Sequence, residues 1–283
     1  MRAAKPKGVP KGRFEQYFAG SGLEDRWAAL HKGDQEPYPN AARVTRLAKQ
    51  HAKFAEWVDD QGGAREVAEG VQEAWRRFHT GNFTAAIAAG SKLSALGATP
   101  ANKAAAIFSL QARGEEPRRL LTAAIARGEQ AVESLPDDAN AHYMLALAMG
   151  RYSQRISIVK ALADGIATRV RTHLDITLRL EPKHAEAHIA LGLYHAEIVG
   201  KIGSLLAGLT YQASKEAALE HFQRAIKLIP GSPIAQIEYA NGLLLVAAKG
   251  CREQADELYA RAAACEPADA MEKLDVERAQ RGP

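Results

Sequence analysis

An all-α array of stacked helical hairpins is what this sequence predicts, on three observations: a spacing pattern that recurs four times, a proline closing each recurrence, and an alanine-rich composition with no alternating apolar run that reads as a strand. The recurrences are Ala124, Gly128, Ala131, Pro136; Val170, Leu174, Thr177, Pro182; Ala218, Phe222, Ala225, Pro230; and Ala255, Tyr259, Ala262, Pro267. Steps of four and three residues place three side chains on one helical face. The proline five residues further on cannot donate a backbone hydrogen bond and restricts the residue before it, so it ends the helix.

A new helix begins just beyond each proline. Asp138, His184, Ser232 and Asp269 stand two positions beyond the four prolines, and Asp and Ser side chains accept hydrogen bonds from the open N–H groups of a first helical turn. Five, six, nine and ten residues beyond three of the prolines come Ala141, His142, Leu145, Ala146; Ala187, His188, Leu191, Gly192; and Ala235, Gln236, Tyr239, Ala240. The small residue closing each quartet admits a neighbouring helix at close range, which makes these the first helices of successive hairpins. Upstream, Val67, Val71, Ala74 and Phe78 share one face of an amphipathic helix, and Gly81-Asn82-Phe83 with Ala86-Ile87 supplies a turn and the start of its partner. Phe108 and Ala112 are expected to open a further hairpin.

Outside these units, Val44, Leu47, Phe54 and Val58, with Trp57 alongside, recur at helical spacing over 40–60 and predict one amphipathic helix capping the array. A last helix over 270–280 carries many charges and only Met271, Leu274 and Val276 as apolar residues, as a solvent-facing terminal cap requires. Near the start, Phe14 with Phe18 and Trp27 with Leu30 suggest short helices docked on the array, and Pro37 and Pro39 a break. The expected organisation is a basic tail and docking helices over 1–39, a capping helix over 40–62, the repeat array over 63–267 and a C-terminal capping helix over 268–283.

At 283 residues the chain is long for one compact core, which suits an extended array. The net charge of +4 is concentrated in Arg2, Lys5, Lys7, Lys11 and Arg13. That cluster reads as a solvated tail, with a weak contact to nucleic acid or anionic lipid as the alternative; the near-neutral remainder points away from a nucleic-acid binder. No apolar core succeeds those charges and no apolar run reaches the length of a membrane span, so a cytoplasmic location is expected. Cys251 and Cys265 are expected within one helix, separated by ~21 Å at the helical rise per residue and so beyond disulfide reach.

Catalytic signatures are missing. There is no nucleophile elbow, phosphate-binding loop or dinucleotide fingerprint, so the chain is not read as an enzyme and no cofactor is expected. His184, His188 and His195 share a helical stripe, yet no cysteine or carboxylate constellation completes a metal site, and the segment HAEAH lacks the spacing of zinc-protease helices. Acid pairs such as Asp59-Asp60 and Asp137-Asp138 fall at helix ends; the second opens a helix, where negative charge meets the dipole favourably.

The residues over 120–267 carry a resemblance to tetratricopeptide-repeat proteins. In that family the first helix bears a Leu-Gly-type pair and the second Ala, an aromatic, Ala and a terminal Pro, matched here by Leu191-Gly192 followed by Ala218, Phe222, Ala225 and Pro230. The family repeat is about 34 residues, whereas successive prolines here lie 46, 48 and 37 apart. The surplus falls inside the hairpins: twelve residues between Ala146 and Val170, fourteen between Gly192 and Ala218, three between Ala240 and Ala255. Hairpins lengthened in this way are similar to those of the regulator-of-microtubule-dynamics relatives and of the T-component of some periplasmic solute transporters; the want of a signal sequence argues against the latter.

The resemblance implies a concave groove lined by first helices, with Tyr143, Leu147 and Arg151, then Ile189, Leu193 and Glu197, then Ile237, Asn241 and Leu244 facing it. Burial of these largely apolar residues beneath the long hairpins or a capping helix is the competing expectation. The family's clamp for a C-terminal carboxylate is not expected, because Asn241 matches one of its positions but Ile237 stands where a lysine is needed. The reading is therefore a non-catalytic scaffold binding an unidentified partner protein or peptide in this groove. The alternative is a carrier of an apolar small ligand or lipid under the lengthened hairpins. The stretch EIVGKIGSLLAGLTY over 197–211 sharpens the choice: either a lengthened helix packed on the matching stretch over 156–166, or a wall over an apolar cavity.

Overall fold

Sixteen α-helices and no strand are present among the described residues of the computed structural model, 13–157, 160–161, 164–246 and 250–282. Ten form five consecutive hairpins. Helix α5 (Ala64–His79) pairs with α6 (Phe83–Gly90), α7 (Ser94–Phe108) with α8 (Glu116–Ser134), and α9 (Ala139–Ser153) with α10 (Ile166–Leu180). Helix α11 (Ala185–Ile202) pairs with α13 (Lys215–Leu228), and α14 (Pro233–Val246) with α15 (Arg252–Ala263). A short helix, α12 (Ser204–Tyr211), interrupts the fourth hairpin. First helices stack on first helices: α5 on α7, α7 on α9, and α11 on α14.

The recurrent spacing is explained by size matching at the crossings. Phe222 of α13, fully buried, stands between two glycines: a Cβ on Gly192 of α11 would meet its ring at 2.7 Å, and one on Gly242 of α14 at 2.2 Å. Only glycine at both positions lets a whole aromatic ring into the crossing. Gly128 of α8 does the same for Leu145 of α9, where a Cβ would lie 3.1 Å from the leucine.

The position six residues beyond three of the four closing prolines locks the turn. His142 Nε2 donates to the Pro136 carbonyl at 2.9 Å and Gln236 Nε2 to that of Pro230 at 3.0 Å, while His188 bonds the Pro182 carbonyl. With Nε2 donating, Nδ1 of His142 accepts from Nδ1–H of His173 at 2.9 Å, and His188 pairs with His221 at the same distance. The third hairpin along has Leu258 in place of a histidine partner, and there the Gln236 Oε1 is buried with no hydrogen bond. The histidines that shared a stripe in the sequence thus serve as turn and crossing residues. His184 caps α11 instead: its Nδ1 accepts from the Ala187 N–H at 3.0 Å. Asp138 and Asp269 cap α9 and the last helix conventionally, accepting from Ala141 and Glu272, and Ser232 precedes Pro233 at the first position of α14.

Four expectations are corrected. The capping helix over 40–60 is two helices, α3 (Ala41–Gln50) and α4 (Ala52–Asp60), broken at His51, whose backbone is extended; Val44, Phe54 and Val58 still reach one core because each helix turns its own face inward. Phe108 does not open a hairpin but ends α7, and Ala112 lies in the connection between α7 and α8. Helix α7 escaped notice because small residues and Pro100 hide its periodicity; every residue over 95–106 is buried, so no polar face alternates with an apolar one. The cysteines flank α15 instead of lying within it: Cys251 precedes its first residue and Cys265 lies beyond its end, both free and half-buried. Lastly, the final helix α16 (Ala270–Gln280) turns only one side to solvent, with Glu277 and Gln280 exposed. It buries Ala270, Asp275, Val276 and Ala279, packs on α14 and α15, and reaches back to α5, where Ala270 fills the space a side chain at Gly81 would need.

Before the array, α1 (Arg13–Tyr17) and α2 (Gly22–Leu30) dock through Phe14, Phe18, Leu23 and Trp27, all buried in the cluster formed with α3 to α7. Arg2, Lys5, Lys7 and Lys11 of the basic tail lie outside the described residues, as do Ile158, Val159, Leu162 and Ala163 of the first insertion.

Candidate functional site

Two segments of the chain itself enter the concave side. One is α16; the other is the strap over 31–40 between α2 and α3. The strap has no regular structure, so its backbone groups need partners from elsewhere. Trp27 Nε1 donates to the Glu36 carbonyl at 2.6 Å, Gln72 to that of Pro39 at 2.8 Å, Asn140 to that of Asp34 at 2.9 Å, and the N–H of Glu186 to that of Gly33 at 3.0 Å.

A buried chain of polar groups then ties the strap to both ends of the array. Asp269 at the start of α16 meets His79 of α5 at 2.7 Å, His79 meets His31 at 3.2 Å, and His31 meets Asp34 at 2.9 Å. Asp34 accepts from Lys103 of α7 at 2.6 Å, and Lys103 also donates to Glu186 of α11 at 2.9 Å. Burial opposes ionisation of Asp34, but His31 and Lys103 outweigh it and hold this carboxyl well below the usual range. Lys103, for which burial works against the charge, is nonetheless held above its ordinary value by Asp34 and Glu186. Alongside, Arg43 bridges Glu36 and Asp138; burial pushes Glu36 up to about 7 against the pull of Arg43. A charge this deep stays ionised only when its hydrogen bonds are complete, and Lys103 meets that condition with two carboxylates.

Beyond this tied region the array opens. Helices α9 and α11 meet at their N-terminal ends, where His184 Nε2 bonds Asn140 Oδ1 at 3.1 Å, and further along they border a cleft of about 360 Å³. Its walls are Ala146, Leu147 and Gly150 of α9, Ile166, Val170 and Leu174 of α10, and Leu193, Tyr194 and Ile198 of α11, with Tyr211 of α12. At its rim Gln154 donates to Glu197 at 2.8 Å and Lys201 pairs with the same carboxylate at 2.9 Å, a polar latch between α9 and α11. Among the described residues the cleft is lined by no nucleophile–base pair, and no group of three or more His, Cys, Asp or Glu is placed to hold a metal ion. Its chemistry is that of apolar burial with a polar edge.

The family model described as regulator of microtubule dynamics protein 1-3 matches residues 101–279, which is most of the array from within α7 to the end of α16. The chain belongs to this regulator of microtubule dynamics family. Among solved structures, a thermophilic TPR protein of Thermus thermophilus aligns with a TM-score of 0.55 at 15% identity, over 76% of this chain and 99% of that one, which shows the tetratricopeptide-like fold. A human IFIT1 dimer aligns with a TM-score of 0.41 at 17% identity, over 92% of this chain and 61% of that one, a likeness too slight to build on. No curated protein matches. No helix among the described residues is long and apolar enough to cross a membrane. The match takes in both insertions and so the whole cleft of this family member, while the strap and α1 to α6 lie before it.

Within that frame the predicted groove residues separate into three groups. Leu147, Arg151, Leu193 and Glu197 line the cleft. Tyr143 and Ile189 are buried and line a smaller recess on the inner side, facing α16. Ile237 is fully buried in the last core cluster, Asn241 is bonded to Glu238 and Tyr259, and Leu244 is on the surface, so none of these three borders either cavity. The stretch over 197–211 bends at Gly203, whose φ of +79° favours glycine; Ile198, Ile202 and Tyr211 face the cleft, but Leu205 and Leu209 are 80% and 78% exposed and point away from it. Sequence reasoning missed His31, Asp34, Glu36 and Lys103 altogether. The only signal for the strap was its two prolines, and nothing local announces that a lysine in α7 is its counter-charge.

Proposed function

We propose that this member of the regulator of microtubule dynamics family is a non-catalytic interaction scaffold, taking an apolar segment of a partner protein into the cleft between α9 and α11. The observation that carries the reading is the cleft itself: about 360 Å³, walled by aliphatic and aromatic side chains from α9 to α12, beyond the region that the chain's own strap and α16 occupy. Apolar side chains entering it leave water at a gain of roughly 25 cal/mol per Å² buried, and the Gln154–Glu197–Lys201 latch offers hydrogen bonds to a backbone at the rim.

The family's description directs the first test to microtubules. In co-sedimentation with polymerised tubulin, the full chain is expected to pellet with the polymer, and Leu193→Arg, which puts a charge into the cleft, is expected to weaken this at least tenfold. Absence of co-sedimentation counts against tubulin as the partner; equal pelleting of Leu193→Arg counts against the cleft.

The almost wholly apolar wall also favours a second reading, a carrier of an apolar small ligand. Native mass spectrometry of gently purified protein separates the two: a carrier retains a small molecule whose mass disappears in Leu193→Arg, and a scaffold does not.

A further inference from the structure

The ring closed by α16 leaves a second recess of about 80 Å³ on its inner side, bordered by α7, α9, α11, α14 and α16. It shares Leu147, Arg151, Ala190 and Leu193 with the cleft but ends on a different floor, where Glu186, Glu238 and Asp275 border it from three helices. Two of these carboxylates are matched. Glu186 accepts from Lys103, and Glu238 accepts from Arg278 at 3.2 Å and from Asn241 at 2.9 Å.

Asp275 is different: 9% exposed, it borders the recess and has no hydrogen-bond or ion-pair partner among the described residues. Every nearby cation is committed elsewhere. Lys103 serves Asp34 and Glu186, Arg278 serves Glu238, and Arg151 at the mouth reaches Gln154. The surroundings of Asp275 add negative charge from Glu238 on α14, from Asp269 capping its own helix and from Glu272 on that helix, against the positive charge of Arg278. A largely buried carboxylate without protein donors is costly, and a cation supplied from outside lowers that cost. The remaining wall includes Ile107, Ile189 and Ile234, which suits the aliphatic stem that carries such a cation.

We propose that this recess binds an alkylguanidinium or alkylammonium group, its head on the carboxylates of Asp275 and Glu238 and its stem along Ile189 and Ile234. Room for one head group and part of a stem excludes a nucleotide or a lipid. The source is a lysine or arginine side chain of a partner, or a free amine; the chemistry is the same. Burial, with Glu238 next, pushes the Asp275 carboxyl up to about 8, so in the empty recess it is protonated at neutral pH. The cation takes the ionised form, a proton leaves, and affinity rises by about twentyfold between pH 6.5 and 8.5 before levelling off.

The test is calorimetric titration of the full chain with n-butylguanidinium, with neutral n-butylurea as the isosteric control and the peptide acetyl-Ala-Arg-Ala-amide as the side-chain source. Butylguanidinium or the peptide is expected to bind, butylurea not, and Asp275→Asn is expected to lower the affinity at least tenfold. Binding of the peptide alone identifies a partner side chain as the source, and binding of the free cation alone a small amine. As a check independent of any variant, the carbon-13 carboxyl resonance of Asp275 in the unaltered protein is expected to titrate near 8 and to shift to lower pH with butylguanidinium. Binding equally strong with butylurea or in Asp275→Asn, no binding by either cation, or an unmoved carboxyl titration overturns the proposal. The outcome with tubulin bears on the cleft and leaves this test intact.

Discussion

Replacing Gly242 with alanine tests the packing account at its tightest point. The added Cβ would sit 2.2 Å from Cε2 and 2.6 Å from Cζ of Phe222, well inside van der Waals contact. The ring has nowhere to go, because Gly192 closes its other side and Phe222 is wholly buried. Overpacking of this kind costs about 1–3 kcal/mol, partly offset by the roughly 0.5–1 kcal/mol that alanine gains over glycine in a helix interior. Gly150 of α9 isolates the second effect, since a Cβ there meets nothing within 4 Å. Urea unfolding followed by far-ultraviolet circular dichroism should therefore show Gly150→Ala stabilised by about 0.5–1 kcal/mol and Gly242→Ala less stable than Gly150→Ala by about 1–3 kcal/mol. Adding Phe222→Leu should recover most of that difference, giving a favourable coupling in the double-mutant cycle. If Gly242→Ala is as stable as Gly150→Ala, the ring is not wedged and the reasoning fails.

Three other variants probe the polar ties, a half-buried histidine and the exposed insertion. Lys103→Met strands the carboxylates of Asp34 and Glu186 and should cost about 3–5 kcal/mol in urea unfolding; a loss under about 1 kcal/mol would show the two acids to be neutral or solvated. Burial, with His142 next, lowers His173 to about 4, below its unfolded value near 6.5, so its contribution is complete above the unfolded value and declines as pH falls toward 4. His173→Gln should accordingly gain on the unaltered protein steadily between pH 6.5 and 4, and a gap independent of pH contradicts the burial. Leu205→Ser with Leu209→Ser removes only exposed apolar surface and should leave stability within about 0.5 kcal/mol; a larger loss in the urea midpoint would place the Leu205 and Leu209 side chains against the body of the array.

Local signals were legible in the sequence and long-range closure was not. The steps of four and three followed by a proline located the crossing residues because size complementarity repeats with the helix, and Phe222 between its glycines is the physical content of that pattern. The column His142, His188, Gln236 was visible as a column, but its role as donor to a proline carbonyl depends on turn geometry that spacing alone does not give. Apolar stripes proved ambiguous about continuity: Val44 to Val58 reads the same whether or not the backbone breaks at His51. Helix α16 looked polar enough to face water because its acids were assumed to be solvated, whereas Asp275 is buried and Asp269 is spent on His79. The ties that close the ring join residues 69, 83 and 190 positions apart, Asp34 with Lys103, Lys103 with Glu186 and His79 with Asp269. No periodicity spans such separations, so Leu147, Arg151, Leu193 and Glu197 could be expected at a groove from the sequence, but the closure that separates them from the buried Tyr143, Ile189 and Ile237 could not.

Hydrogen exchange on the full chain, with and without polymerised tubulin, tests most directly where a partner sits. Slowed exchange is expected over 146–154 and 193–202, the facing portions of α9 and α11, with α3, α4 and the outer faces of α8 and α13 unchanged. Protection confined to those outer elements, with α9 and α11 exchanging as before, would contradict a cleft that receives the partner.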